Sequence, residues 1–137
     1  TPQSAGLNSG YMMLHYTATA LVLENQTLAH PDSIHSLPTS AGQEDHNANA
    51  WTATIHAKQI LDNVRKIVAI EYLCAARALN LRMKQETGLT PGNGSFSVYK
   101  QIIHLMPVDK HGDQWLQPMV LKLEAALREQ KIIVPGW

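Results

Sequence analysis

The chain lacks the features that mark secreted and membrane proteins. It has a single cysteine among 137 residues, so no internal disulfide can form. Cys74 lies among apolar residues in a helical pattern, which predicts a buried thiol. No apolar run approaches the roughly 20 residues of a membrane span, and no basic start leads into an apolar stretch as in a signal peptide. We therefore expect a cytoplasmic protein with no membrane partner.

Charged residues are also scarce. They make up 16% of the chain, where about 25% is usual for a soluble domain. The 11 basic and 11 acidic residues cancel, and because nucleic-acid binders normally carry a basic excess, we expect no nucleic-acid partner. Low charge with abundant alanine and leucine predicts broad contact with other chains. The sequence begins at Thr1, so we expect either trimming or the downstream part of a longer polypeptide.

Helical periodicity dominates the sequence, and no stretch shows the alternation typical of a β-strand. The fold class is therefore predicted to be all-α. Pro31 ends the first helical segment, and the turn-rich run TGLTPGNGSFS (residues 87–97) separates the later ones. The predicted helices cover residues 8–30, about 44–82, 97–105 and 114–130.

The second helical segment contains neither glycine nor proline. At 1.5 Å per residue it would be about 55 Å long, which exceeds the roughly 30 Å expected for a lone domain of this size. A helix of that length needs partners along its surface. We therefore predict one member of a large helix bundle that is shared between chains.

The last predicted helix is amphipathic. Its apolar face carries Leu116, Met119, Val120, Leu123 and Leu127. The opposite face, which is expected to meet solvent, carries Lys122, Glu124, Arg128 and Glu129. The short apolar tail KIIVPGW (residues 131–137) is expected to dock against the helices.

The segment between the first two helices, PDSIHSLPTSAGQ (residues 31–43), is expected to be an ordered loop that packs through Ile34 and Leu37. Glu44 and its acidic neighbour follow directly. From spacing alone they have two interpretations: capping of the next helix, or a carboxylate that serves as acid, base or substrate anchor. The histidine spacings match no standard zinc pattern, so no metal site is predicted.

Three blocks occur in a fixed order: GLNSGYM (residues 6–12), ENQTLAHP (24–31) and SLPTSAGQEDH (36–46). Together they closely resemble the C-terminal third of the histidine ammonia-lyase family of aromatic amino-acid lyases. The stretch NVRKIVAIEYLCAARALNLR (63–82) and the weaker GDQWLQP (112–118) are similar to the same family. The resemblance covers nearly the whole chain.

The resemblance implies a long-helix bundle that forms part of the fumarase/aspartase-like tetrameric lyase fold. It divides residues 1–137 into four segments. Residues 1–30 would form a core helix, and residues 31–46 the active-site loop. Residues 47–82 would form the long core helix, and residues 83–137 the C-terminal helices.

The family's electrophile is 4-methylidene-imidazol-5-one (MIO), which forms from an internal Ala-Ser-Gly. This chain has only Ser-Ala-Gly, at residues 4–6 and 40–42. The resemblance therefore implies that the MIO comes from outside this chain and that the chain alone is inactive. It also implies a companion polypeptide with the N-terminal part of the enzyme, and a tetrameric assembly of the whole.

Two residues match substrate-binding positions of the family, and a third adjoins one of them. Glu44 matches a glutamate that faces the imidazole in histidine lyases, where phenylalanine lyases typically have glutamine. It would have a catalytic as well as a binding role, because a carboxylate can pair with an imidazole but not with a phenyl ring. Met12 matches a pocket position, and Gln43 adjoins Glu44 and would orient it or the substrate.

The chain departs from the family just beyond this block. Asn47-Ala48-Asn49-Ala50 stands where Val-Ser-Met-Gly is usual, and Gly42 stands where asparagine is common. The leading interpretation is a carbon–nitrogen lyase that converts L-histidine, a small aromatic amino acid, to urocanate and ammonia. The alternatives are a tyrosine or phenylalanine ammonia-lyase, a 2,3-aminomutase of the same family, and a non-catalytic structural helical subunit.

Overall fold

The computed structural model describes residues 9–106 and 113–134, and in this part of the chain it is built from α-helices. The helices are α1 (Met12–Leu28), α2 (Ala50–Gln85), α3 (Asn93–Leu105) and α4 (Gln117–Arg128). Short 3₁₀ turns occur at Asp32–His35 and Ser40–Gly42. Within the described ranges the only β pairing is an isolated bridge between Thr39 and Glu44. The predicted all-α class is confirmed.

All four helices begin at residues other than those predicted: α1, α2 and α4 begin later and α3 begins earlier. The backbone explains the starts of α2 and α3. The 36-residue α2 begins at Ala50 because Asn49, at φ +50°, lies outside right-handed helical space. The carbonyl of Asn49 accepts the Ala53 amide at 3.1 Å, as the residue preceding a helix does. Helix α3 begins at Asn93 rather than Ser97, since the carbonyl of Gly92 accepts the first helical amide, that of Phe96, at 2.9 Å.

The chain divides into two compact units. We call Thr1–Ala18 with Arg65–Trp137 the core unit, and Thr19–Val64 the loop unit. The four-segment division implied by the resemblance stays a prediction.

The core unit has an apolar centre. Leu73, Ile102 and Leu123, which come from three helices, are its largest fully buried side chains. The predicted apolar face of α4 is confirmed, because Leu116 and Leu123 belong to the buried core cluster and the other three members pack against that cluster. Burial of this apolar face and its dispersion contacts hold α4 against α2 and α3.

Glu124 contradicts the solvent-facing prediction, since only 7% of the residue is exposed. Its carboxylate accepts a hydrogen bond from Arg128, one helical turn later, at 3.2 Å. That pair lets a carboxylate lie at the edge of the core. The chain end docks as predicted over residues 131–134, where Gln101 exchanges two hydrogen bonds of 2.8 Å with the backbone of Ile133. Residues 135–137 lie outside the described part.

Candidate functional site

The predicted site segment forms a tight turn between Thr39 and Glu44. The backbone amide of Thr39 donates to the carbonyl of Glu44 at 2.9 Å, and the amide of Glu44 donates back at 3.2 Å. Between them the chain reverses through a left-handed turn, because φ is +52° at Ser40, +55° at Ala41 and +82° at Gly42. Glycine and asparagine tolerate such φ values best. Gly42 therefore suits the turn without backbone strain.

The turn places Gln43 and Glu44 side by side at its exit. Both side chains are exposed in the described structure. The hydroxyl of Thr39 donates to Glu44 Oε2 at 3.0 Å. Among the described residues Oε1 has no hydrogen-bond partner. The carboxylate is thus held from one side and can accept a further hydrogen bond, or exchange a proton, on the other.

The helix-capping interpretation of this acidic segment is wrong. Helix α2 begins at Ala50, and its first turn contains no acidic residue. Glu44 therefore contributes nothing to the positive end of the α2 dipole, whose effect falls off within one turn. What remains for Glu44 is the interpretation as a displayed carboxylate.

Met12 is the first residue of α1 and is half exposed. The segment before it is fixed by Asp113, whose carboxylate accepts the amides of Ser9 at 3.0 Å and Gly10 at 2.8 Å. Met12 belongs to the core unit, whereas Gln43 and Glu44 belong to the loop unit. The structure brings the latter two together on one turn.

The loop is ordered by hydrogen bonds and not by apolar packing, so the packing expectation for Ile34 and Leu37 is wrong. These side chains are 62% and 72% exposed. The hydroxyl of Ser36 instead accepts the backbone amide of Asn47 at 2.7 Å and donates to its carbonyl at 3.1 Å. Polar bridges across the loop take the place of the predicted apolar contacts.

Other features of the described residues do not coincide with these positions. A cavity of about 500 Å³ lies in the core unit, with Tyr72, Leu79 and Tyr99 in its wall, and none of the three predicted site residues lines it. No group of three or more His, Cys, Asp or Glu side chains within residues 9–106 and 113–134 could hold a metal ion. In the same ranges, no helix is both long and apolar enough to cross a membrane.

The described Ser40-Ala41-Gly42 does not suit formation of an MIO. A methylidene requires a hydroxyl on the middle residue that can leave as water, and Ala41 has none. The Gly42 amide, which would have to attack a carbonyl to close the ring, donates to Thr39 at 3.1 Å. An MIO is therefore not formed from these residues.

Sequence reasoning missed the residues that hold the site segments in place. Asp113 bonds to Gly10 across 103 positions of sequence, and Asp32 contacts His56 on α2. The GDQWLQP block contains Asp113, and its likeness to the family was the available signal. No local pattern marked Asp32 or His56.

Comparison with known proteins identifies the family. The sequence model of the family described as aromatic amino acid lyase matches residues 1–103. The chain is 53% identical to histidine ammonia-lyase of Gloeobacter violaceus over 93 residues, which are 68% of this chain and 17% of that protein.

Solved structures of similar proteins support the same family assignment. The crystal structure of histidine ammonia-lyase from Trypanosoma cruzi superposes with a TM-score of 0.83 at 32% identity, over 93% of this chain and 24% of that one. Tyrosine aminomutase from Streptomyces globisporus gives a TM-score of 0.77 at 31% identity, over 93% and 23% of the two chains. The chain thus spans about a quarter or less of the length of these proteins, and it belongs to the aromatic amino acid lyase family.

Proposed function

We propose that the complete enzyme containing this chain eliminates ammonia from L-histidine to give urocanate. The observation that carries the proposal is the exposed Glu44 carboxylate, held by Thr39 on a hydrogen-bonded turn. An imidazole N–H is a fitting partner for that carboxylate, and a phenyl ring offers it none. The 53% identity to a protein named histidine ammonia-lyase supports the same substrate.

In this proposal Glu44 accepts a hydrogen bond from the substrate imidazole and exchanges a proton with it, while Gln43 orients the ring or the carboxylate. Met12 supplies an apolar wall of the pocket. Holding the ring in one orientation lowers the entropic barrier to removal of the β-proton. The closeness of Met12 to the other two in the assembled enzyme is part of the proposal.

We further propose that the MIO electrophile, which captures the substrate amine in this family, comes from an Ala-Ser-Gly outside this chain. A companion polypeptide, or an upstream part of the same one, would contain it. The complete enzyme would be a cytoplasmic tetramer. Intact mass spectrometry tests the electrophile: the chain should accompany a polypeptide that is two waters lighter than its sequence. A companion of full mass would favour the non-catalytic structural subunit.

Glu44→Gln in the complete enzyme tests the substrate assignment. Loss of a hydrogen bond to a charged group should reduce kcat/KM for histidine about 10- to 100-fold. The melting temperature should stay unchanged, because Glu44 is exposed. Glu86→Gln removes the same charge from an exposed site on the core unit and serves as the control. Unchanged histidine turnover in Glu44→Gln would refute the assignment.

A second candidate is a tyrosine 2,3-aminomutase, favoured by the structural similarity to the enzyme of that name. The two functions differ in their products, because a mutase returns the amine to the β-carbon and a lyase releases it. Product identification by NMR after incubation with histidine and with tyrosine distinguishes them. We expect urocanate from histidine and no β-amino acid from tyrosine.

A further inference from the structure

On either side of the turn at residues 39–44, two further pairs of residues join the incoming and outgoing segments of the loop. The second pair lies farther from the turn in sequence than the first. Ser36 and Asn47 form the inner pair, through the two hydrogen bonds of the Ser36 hydroxyl. Asp32 and Asn49 form the outer pair, because the Asn49 side-chain amide donates to the Asp32 carbonyl at 3.0 Å. The Asn47 side chain joins the two pairs by accepting the Asn49 backbone amide at 3.1 Å. We call these four residues the loop clasp.

The loop clasp is fastened to helix α2 through Asp32. Oδ2 of Asp32 lies 3.2 Å from Nδ1 of His56, and the two side chains are 16% and 32% exposed. The two atoms do not form an aligned hydrogen bond, since the buried Nδ1 has no hydrogen-bond partner among the described residues. The contact is attractive when the imidazole is protonated, and it lies in a setting drier than an open surface, where charges are less screened.

Two members of the clasp act through asparagine side chains. The side-chain oxygen of Asn47 accepts a hydrogen bond and the side-chain amide of Asn49 donates one, and an apolar side chain at either position could do neither. At φ +50°, asparagine is also better tolerated at position 49 than most other residues with a Cβ atom. The two asparagines thus supply the outer contacts of the loop.

We propose that the loop clasp positions Gln43 and Glu44 for the substrate, with Asp32 as its central positioning residue. The inference rests on the proposed function, in which Glu44 meets the substrate ring. Glu44 is exposed, so apolar packing does not fix the turn on which it lies. The clasp closes the base of that turn, and Asp32 ties the base to a rigid helix. A small displacement of a group that orients a substrate costs catalysis steeply.

The experiment uses Asp32→Ala and Asn49→Gly in the complete enzyme. Glycine accepts the positive φ of position 49, so this variant removes the side-chain donor without backbone strain. Lys58→Gln is the matched control, because it removes the ion pair with Asp62 on the same helix and leaves the clasp intact. Hydrogen exchange over residues 39–46 is measured without substrate. The ratio of kcat/KM for histidine to that for phenylalanine is measured with it.

Asn49→Gly should accelerate exchange at the amides of Thr39 and Glu44 and lower the specificity ratio about 3- to 10-fold, the scale of one lost hydrogen bond. Asp32→Ala keeps the backbone carbonyl that accepts the Asn49 amide and removes only the carboxylate contact with His56, so it should change both quantities in the same direction but by less. Lys58→Gln should change neither quantity. Unchanged exchange in both clasp variants would overturn the proposal, and so would faster exchange with an unchanged ratio. If the wild-type enzyme does not use histidine, the proposed function fails. The exchange data then still decide whether the clasp orders the turn.

Discussion

The core unit and the loop unit bury different kinds of side chain. Every apolar residue that is buried in the described structure belongs to the core unit. In the loop unit the single buried residue is Asn63, a polar one. Its side-chain amide donates to Glu24 at 2.8 Å and to Asn25 at 3.0 Å. One unit is thus stabilised mainly by apolar burial, and the other by hydrogen bonds.

The loop unit also leaves large apolar side chains uncovered. Trp51 is 78% exposed, and Ile34 and Leu37 are exposed to a similar degree. Monomeric proteins rarely leave large apolar patches in water. In the proposed complete enzyme, the companion polypeptide would offer these side chains a surface to contact. Within this chain the polar contacts fix the shape of the loop, and its large apolar side chains stay uncovered.

The largest expected loss of stability comes from truncating a fully buried side chain in the apolar core. Leu123→Ala should lower the free energy of unfolding by about 2–5 kcal/mol, through lost burial and the cavity left behind. Leu123 is fully buried, whereas Leu121, two positions earlier on the same helix, is 51% exposed. Leu121→Ala should therefore cost less than about 1 kcal/mol. Urea unfolding of the complete enzyme measures both, and equal losses would contradict the described core.

Within the loop unit, substitution of Asn63 should lower the free energy of unfolding most. Asn63→Ala leaves two oxygen acceptors without their donor and should cost about 1–3 kcal/mol in the same measurement. Gln59→Ala is the control, because Gln59 is exposed and its bond to Glu24 can be replaced by water, so about 0.5 kcal/mol or less is expected. If Gln59→Ala proved as costly as Asn63→Ala, burial would not explain the role of Asn63.

The sequence predicted best what depends on local periodicity. The apolar face of α4 and the helical run of α2 follow from residue spacing, and the core confirms them. It predicted poorly where a distant partner decides the outcome. The four-residue spacing from Glu124 to Arg128 predicts their ion pair, but the burial of Glu124 on a charged face depends on elements distant in sequence, which spacing does not reveal.

In the candidate site, too, some residues could be predicted from the sequence, and the contacts that position them could not. Gln43 and Glu44 came from the family resemblance and lie together on one turn. The contacts that shape their surroundings join Asp32 to Asn49 and Asp32 to His56, and no periodicity links those positions. The start of α2 was predicted too early because propensity could not reveal the left-handed backbone at Asn49.

A smaller effect on stability is expected when alanine replaces one glycine of each unit, and the two glycines can be compared because their backbone angles match. Gly42 and Gly88 have φ of +82° and +88°, and a Cβ atom at either position would meet open space. Alanine at each should therefore cost about 1–2 kcal/mol through backbone strain alone. Only Gly42→Ala should also reduce histidine turnover, because it disturbs the turn next to Glu44. Gly42→Asn should retain both stability and turnover, and equal turnover losses at the two glycines would contradict a local role for the turn.

The smallest expected effect concerns the half-buried thiol of Cys74, which packs against the apolar core. Burial raises the pKa of Cys74 above its ordinary value of 9.0, so the folded state holds this proton to higher pH than the unfolded state does. Stability is therefore unaffected below pH 9 and declines as pH rises from 9 through the folded-state pKa.

Urea unfolding at pH 8 and pH 10 should show a smaller pH-dependent loss for Cys74→Ala than for the wild type. Tyr11, whose pKa is also raised by burial and partly lowered again by Arg77, adds a decline of its own at higher pH. Tyr11→Phe is the control, because it should keep the Cys74 contribution. Identical pH dependence in the wild type and Cys74→Ala would show that the thiol is as well solvated when folded as when unfolded. Its contact with the core would then be looser than described.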